Sequence, residues 1–218
     1  MSFPEVHEAD APPQAAAIYA GLREAVGVPL VNLIWRHFAA LPGGGVLPWA
    51  WETIRPVAPA AALAEGTVRM EAALAGPDAV AAFPAATGGA AVVVEIYNRG
   101  NCTNLQLLTA LRRAVADETG VGGGVPLPAG PPLPPLPPLH AALAPLVHAG
   151  MIARGREALV AEARATANRL LPALRPPPDA LPAEQRPAVL AALDAFAGRL
   201  IAEMGTVGLL LRARAVTR

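Results

Sequence analysis

Residues 95–113, EIYNRGNCTNLQLLTALRR, bring Asn98, Arg99, Asn101 and Asn104 within seven residues of one another, in a chain otherwise rich in Ala, Leu, Val and Pro. Amides and a guanidinium at this spacing suit the reception of a small anion. Gly100 predicts a break in the helix that ends near Asn98, after which Asn101 caps a new helix starting at Cys102 or Thr103. The free N–H groups and partial positive charge of such a helix start, with Arg99 beside it, would hold a carboxylate. The same residues also read as ordinary caps, with Arg99 reaching solvent, so residue types alone leave both roles open. Glu95, and Asp194 in the C-terminal part, are the carboxylates that an apolar surrounding could turn into a general base. Both also fit plain ion pairs on a helix face.

Other chemistries lack their parts. The chain has one serine, Ser2, and no lysine, which argues against a Ser-His-Asp hydrolase and against Schiff-base catalysis. Cys102 is the only cysteine, and the four histidines, His7, His37, His140 and His148, show no metal-ligand spacing, so no metal or cofactor is expected. Cys102 reads as a small buried apolar group, and Trp35, Trp49 and Trp51 as core. The 17 basic residues, all Arg, balance 17 acidic ones, leaving no basic patch for nucleic acid. The start, MSFPEVHEAD, has no secretory pattern, and no apolar run is long enough to cross a bilayer. The expectation is a cytoplasmic protein without a membrane or nucleic-acid partner.

The elements that must position these residues read as helices throughout, so the fold class is all-α. Asp10 is placed to cap a helix in which Ile18, Leu22 and Val26 share one face, and Gly27 ends it. Pro29 suits the first turn of a second helix with Val31, Ile34, Phe38 and Leu41 as its apolar stripe, stopped by LPGGG. Further helices are predicted over 49–57, 60–75, 139–149 and 154–171, with a final one over 183–214 that is irregular near Gly205 and Gly208. A β-prone triplet at 92–94 sits in a longer helical run and is assigned to helix. The Pro-rich run at 121–138 cannot be α-helix and reads as a stiff connector between residues 1–120 and 139–218. EIYNRGNCTNLQLLTALRR and DAFAGRLIAEMGTVGLLLR superpose without gaps, with Glu95 on Asp194 and Tyr97 on Phe196. Two tandem helical repeats, the second truncated, are therefore expected.

Three segments, VPLVNLIWRHFAALPGGGVLPWAW, YNRGNCTNLQLLTALRR, and ALVAEARATANRLL through LDAFAGRLIAEMG, resemble in their order the group I 2-haloacid dehalogenases, which accept both enantiomers of a 2-haloalkanoic acid. The resemblance implies an all-α subunit of two tandem repeats with the active site between them, commonly a homodimer. It implies a metal-free hydrolysis in which water activated by an Asp displaces halide from C2 with inversion. Asn101 falls on the family's pocket asparagine and is the candidate catalytic residue, holding water or substrate. Leu30 and Leu33 fall where the family has large aromatic pocket residues. With Asn32, Tyr97, Asn98, Arg99 and Asn104 they make the candidate binding set for a small carboxylic acid. The family's catalytic Asp belongs just before the second copy of the VPLVNLIWRHF-like helix. Here PLPAGPPLPPLPPLHAAL stands in that place, and no acidic residue occurs between Glu118 and Glu157. A non-catalytic binding protein on the same scaffold is the alternative.

Overall fold

Pro13 opens the first helix, where its missing N–H leaves no intrahelical bond unmade. Gly27, at a φ of 68°, closes it with a left-handed cap whose N–H bonds Arg23 O. The computed structural model describes residues 3–74, 89–116, 121–122, 127–128, 156–177 and 181–216, with backbone alone for 71–74, 89–95, 98, 156 and 203–216. Among these residues it forms seven α-helices and no strand: α1 (Pro13–Val26), α2 (Leu33–Ala40), α3 (Val46–Ile54), α4 (Ala61–Leu74), α5 (Gly89–Val115), α6 (Arg156–Leu170) and α7 (Arg186–Val216). Ile18, Leu22 and Val26 are buried on one face of α1, as their spacing predicts. Gly43 and Gly44, both at positive φ, turn the chain after α2.

Several helix starts differ from the sequence expectation, α3 among them, which opens at Val46 instead of Trp49. Asp10 lies in a short 3₁₀ turn (Glu8–Asp10), and the N-cap position of α1 is Pro12, which makes no side-chain cap bond. Helix α2 begins at Leu33 instead of Pro29, because the Asn32 Oδ1 accepts from the Ile34 N–H at 3.2 Å and so provides a cap three residues later. Helix α7 begins at Arg186 and continues through Gly205 and Gly208. The helix expected over 139–149 lies outside the described residues. So does most of the 121–138 connector, in which Gly122 N–H bonds Leu171 O and Pro128 O accepts from Ala61 N–H, each at 3.0 Å.

The largest correction concerns Gly100. No break occurs there: α5 runs unbroken from Gly89 to Val115. Gly100 is not among the positive-φ glycines, and Asn101 is an interior helical residue, not a cap. Its surroundings supply the reason. Helix α5 packs along α7, most extensively of all pairs, and also against α1, α3, α4 and α6. Residues 101–108 are all buried. A helix enclosed on every side must satisfy its polar side chains internally. Several bond back one turn: Asn104 Nδ2 to Gly100 O at 2.6 Å, Gln106 Nε2 to Cys102 O at 3.1 Å, and Thr109 Oγ1 to Leu105 O at 2.7 Å.

With few aromatic residues, the core depends on close helix approach. A Cβ at Gly21 would stand 2.7 Å from the Trp51 ring. Gly66 of α4 is tighter still: a Cβ there would collide with both Gln106 Oε1 of α5 and Thr166 Oγ1 of α6. The Gln106 amide cannot swing aside freely, since its nitrogen is held by Leu63 O at 3.2 Å and Thr67 Oγ1 at 3.1 Å. The two glycines of α4 and α7 therefore predict opposite outcomes. Gly66→Ala is expected to cost roughly 2–3 kcal/mol by overpacking. Gly198→Ala on α7, whose Cβ would meet nothing within 4 Å, is expected to gain about 0.5–1 kcal/mol through helix propensity. Denaturant melts of the two variants check this pair.

Candidate functional site

One stripe from each of three helices, plus the loop before α2, encloses a cleft of about 180 Å³. From α5 come Ile96, Tyr97, Gly100, Asn101 and Asn104, the i, i+1, i+4, i+5, i+8 positions of one helical face. From α7 come Phe196, Arg199 and Leu200, and from α2 with its cap come Asn32, Leu33 and Arg36. The loop adds Val28, Leu30 and Val31. The walls are mixed: six aliphatic side chains stand beside three amides and two guanidinium groups.

The α2 wall is fixed by a buried hydrogen bond. Trp35, on the turn that also carries Arg36, donates its indole N–H to Asn104 Oδ1 at 2.7 Å, and both side chains are buried. Because Asn104 Nδ2 also binds Gly100 O, the amide is anchored at both ends. Trp35 packs edge-on to Phe38 with centroids 5.9 Å apart. Turning Trp35 into the core places its neighbour Arg36, about 100° further round the helix, on the cleft side.

An N-terminal strap, residues 3–10, runs behind this wall. Phe3 packs on Phe196 at 4.6 Å and on His37 at 5.2 Å. His37 Nδ1 lies 2.8 Å from Pro4 O, the satisfied contact expected of a buried helix histidine. Val6 N–H donates to Arg36 O at 3.0 Å, and Tyr19 O–H donates to Val6 O at 2.9 Å. Glu8 accepts from the Val31 N–H at 2.9 Å while pairing with Arg23. Burial raises the Tyr19 pKa above the usual phenol value, against the opposing pull of Arg36. A raised phenol pKa means that this part of the stability is present below the unfolded value and lost as pH climbs through the folded one.

The sequence candidates divide. Asn101, Asn104, Asn32, Leu30, Leu33 and Tyr97 all line the cleft. Asn32 serves as the α2 cap and Asn104 holds the Trp35 bond. Arg99 is not a cleft residue: it lies off the α5 stripe, and its Nη1 donates to Gly27 O at 3.0 Å. There it neutralises the negative C-terminal end of α1. Asp194 is likewise not a base facing the cleft. Its carboxylate pairs with Arg112 Nε at 2.6 Å, with both side chains about half exposed, and it sits on the opposite side of α7 from the Phe196 stripe. The side chains of Glu95 and Asn98 lie outside the described residues. Since α5 has no N-terminus at Asn101, the cleft's positive charge comes from Arg36 and Arg199 instead. Sequence reasoning missed both, although Arg36 sits inside the VPLVNLIWRHF segment and Arg199 three residues past Phe196.

No group of three or more His, Cys, Asp or Glu among the described residues could hold a metal ion. No helix among them is long and apolar enough to cross a membrane. Cys102 is buried and outside any disulfide.

Asn104→Ala is expected to lose roughly 1–3 kcal/mol by leaving the Trp35 N–H buried without its acceptor. Gly100→Ala is expected to be neutral or to gain up to about 1 kcal/mol, because its Cβ would only touch Val28 at 3.7 Å; a left-handed break at this position would instead make alanine costly. Thermal melts separate these outcomes. Tyr19→Phe should flatten the alkaline end of the melting temperature against pH profile, read above the ordinary phenol pKa.

No protein-family profile matches the chain, and no curated protein sequence matches it. Among solved structures, a D-2-haloacid dehalogenase mutant in complex with D-2-CPA matches with a TM-score of 0.71 at 16% identity, covering 97% of this chain and 96% of that one. The D-2-haloacid dehalogenase mutant alone gives 0.72 at 16% identity, and the complex with L-LA gives 0.71 at 17%, both with the same coverage. The chain therefore has, over nearly its whole length, the all-α fold of the D-2-haloacid dehalogenases.

Proposed function

We propose that this protein is a divergent 2-haloacid dehalogenase-like hydrolase that binds a small carboxylic acid in the cleft between α2, α5 and α7. The observation that carries this is the cleft's composition: Arg36 and Asn101 border one small space, lined by both aliphatic and polar side chains, on a scaffold shared with D-2-haloacid dehalogenases. A guanidinium suits the carboxylate, the aliphatic side chains suit the body of the acid, and the Asn101 amide can orient a water or the substrate. The volume limits the ligand. A cavity of about 150 Å³ takes one benzene, so about 180 Å³ suits an acid of similar bulk.

The proposed reaction is displacement at C2. Water attacks the carbon opposite the halogen, the carbon–halogen bond breaks and halide leaves, and the 2-hydroxy acid forms with inversion as the water's second proton passes to solvent. The neighbours' complexes with D-2-CPA and L-LA support this substrate class. Water attack needs a proton acceptor, however, and residues 119–156 contain no Asp or Glu. That observation favours a second reading, in which the cleft binds the acid without turning it over.

Halide release from D- and L-2-chloropropionate, run beside calorimetric titration of the same acids, tests both. Release that falls with Asn101→Ala supports the hydrolase. Binding without release supports the second reading. In either case Arg36→Gln is expected to weaken acid binding roughly 10- to 100-fold, the usual worth of a charge-assisted hydrogen bond. Arg99→Gln should leave binding unchanged and lower the melting temperature, since it caps α1. Acid binding that survives Arg36→Gln but not Arg99→Gln would reverse the assignment.

A further inference from the structure

The Arg36 guanidinium does not face the cleft as a bare charge. Glu5 Oε2 lies 3.0 Å from Arg36 Nη1, and the two side chains are only 24% and 25% exposed. Both partners are pinned. Glu5 lies between Pro4, whose carbonyl contacts His37, and Val6, whose N–H is bonded to the carbonyl of Arg36 itself. The Tyr19 hydroxyl holds the same strap from the other side. These bonds hold the backbone on both sides of Glu5 against α2 and so keep its carboxylate beside Arg36.

Its electrostatic consequence follows from that geometry. A half-buried cation matched by a fixed carboxylate keeps its remaining N–H donors but has little surplus charge to offer. An entering carboxylate gains hydrogen bonds from Arg36 and at the same time feels the repulsion of Glu5 a few ångströms further off. One negative charge on the ligand is met by those donors. A second would lie among Val28, Val31, Ile96 and Leu200, met only by the solvent-exposed Arg199 of α7, whose charge water and salt screen. The other charged groups nearby are an exposed Arg199 on the α7 side of the cleft, an exposed His7 at 3.8 Å from Glu5, and Glu8, which is occupied with Arg23 and the Val31 N–H.

We infer that Glu5 sets the charge selectivity of the cleft: by compensating Arg36 from behind, it makes the site accept monoanionic acids with an apolar body and reject dianions of the same size. This rests on the carboxylic-acid reading above. Glu5 touches no ligand and acts through Arg36, so it is a positioning residue with a selectivity readout.

The test compares 2-chloropropionate with methylmalonate, a dianion with a second carboxylate in place of the chlorine, by calorimetric titration of the full chain at mildly alkaline pH; the shift caused by Glu5→Gln, not the wild-type ratio alone, separates charge from size. The wild-type chain is expected to bind the monoanion and to discriminate against the dianion. Glu5→Gln keeps the shape and removes the charge. It should tighten the dianion more than the monoanion, shifting the ratio of the two affinities on the order of tenfold at low ionic strength. Glu5→Asp, which keeps the charge, should retain the wild-type order. Glu52→Gln, which disrupts only an exposed pair with Arg55, should change nothing. A purely structural Glu5 would lower the melting temperature and weaken both acids alike, leaving the ratio fixed, and that result overturns the inference. Equal affinities for both acids in the wild-type chain overturn it too, even if Glu5→Gln does not fold. Binding of neither acid by the wild-type chain overturns the carboxylic-acid reading, and this inference with it.

Discussion

A single buried hydrogen bond, from the Trp35 indole to the Asn104 amide, sets the geometry on which the cleft depends. It joins helices far apart in the chain, and the same amide is tied back to Gly100 O within α5. A buried indole N–H without a partner would be costly, so the bond fixes the rotation of α2 about its axis. With Trp35 turned inward, Arg36 must turn toward the cleft, and Asn32 is left at the start of the helix to cap it. One core contact thus determines which α2 residues a ligand can meet.

The close packing around α5 has a different origin. In a core built mainly from Ala, Leu and Val, helices approach until backbone meets side chain, and Gly21 and Gly66 are the positions where this happens. At Gly66 the approach encloses Gln106 and Thr166, both with fully buried side-chain oxygens. Gln106 uses its amide nitrogen on three acceptors, linking α4 to α5. The polar residues of the central helix therefore knit neighbours together as well as facing the cleft, and Asn104 belongs to both groups.

Charge is arranged on a similar economy. Arg99 serves the C-terminal end of α1, Arg112 and Asp194 pair at the surface, and Glu8 holds both Arg23 and the Val31 N–H. Arg36 stands apart because its Glu5 partner approaches from the strap while its own side chain borders the cleft. Residues near the start of the chain thereby shape the electrostatics of a site formed by α2, α5 and α7. The strap also backs the α7 wall through the contact of Phe3 with Phe196.

The sequence by itself determined the all-α class and the buried faces of α1 and α2, because helical periodicity and glycine punctuation are local signals; Leu30 and Leu33 are candidates only through the family resemblance, and so is the catalytic role of Asn101. Local signals also misled. Gly100 beside two asparagines has the composition of a helix start, but enclosure of α5 on all sides outweighs the propensity cost of one glycine and keeps the helix whole. That in turn leaves Arg99 at the end of α1, and it is Arg36, not a helix terminus, that borders the cleft. Only the tertiary structure decided which arginine meets the cleft, since a guanidinium's role depends on what its helix packs against. It also decided that Asp194 faces solvent, and that Glu5, distant in sequence from most of the lining, stands behind Arg36.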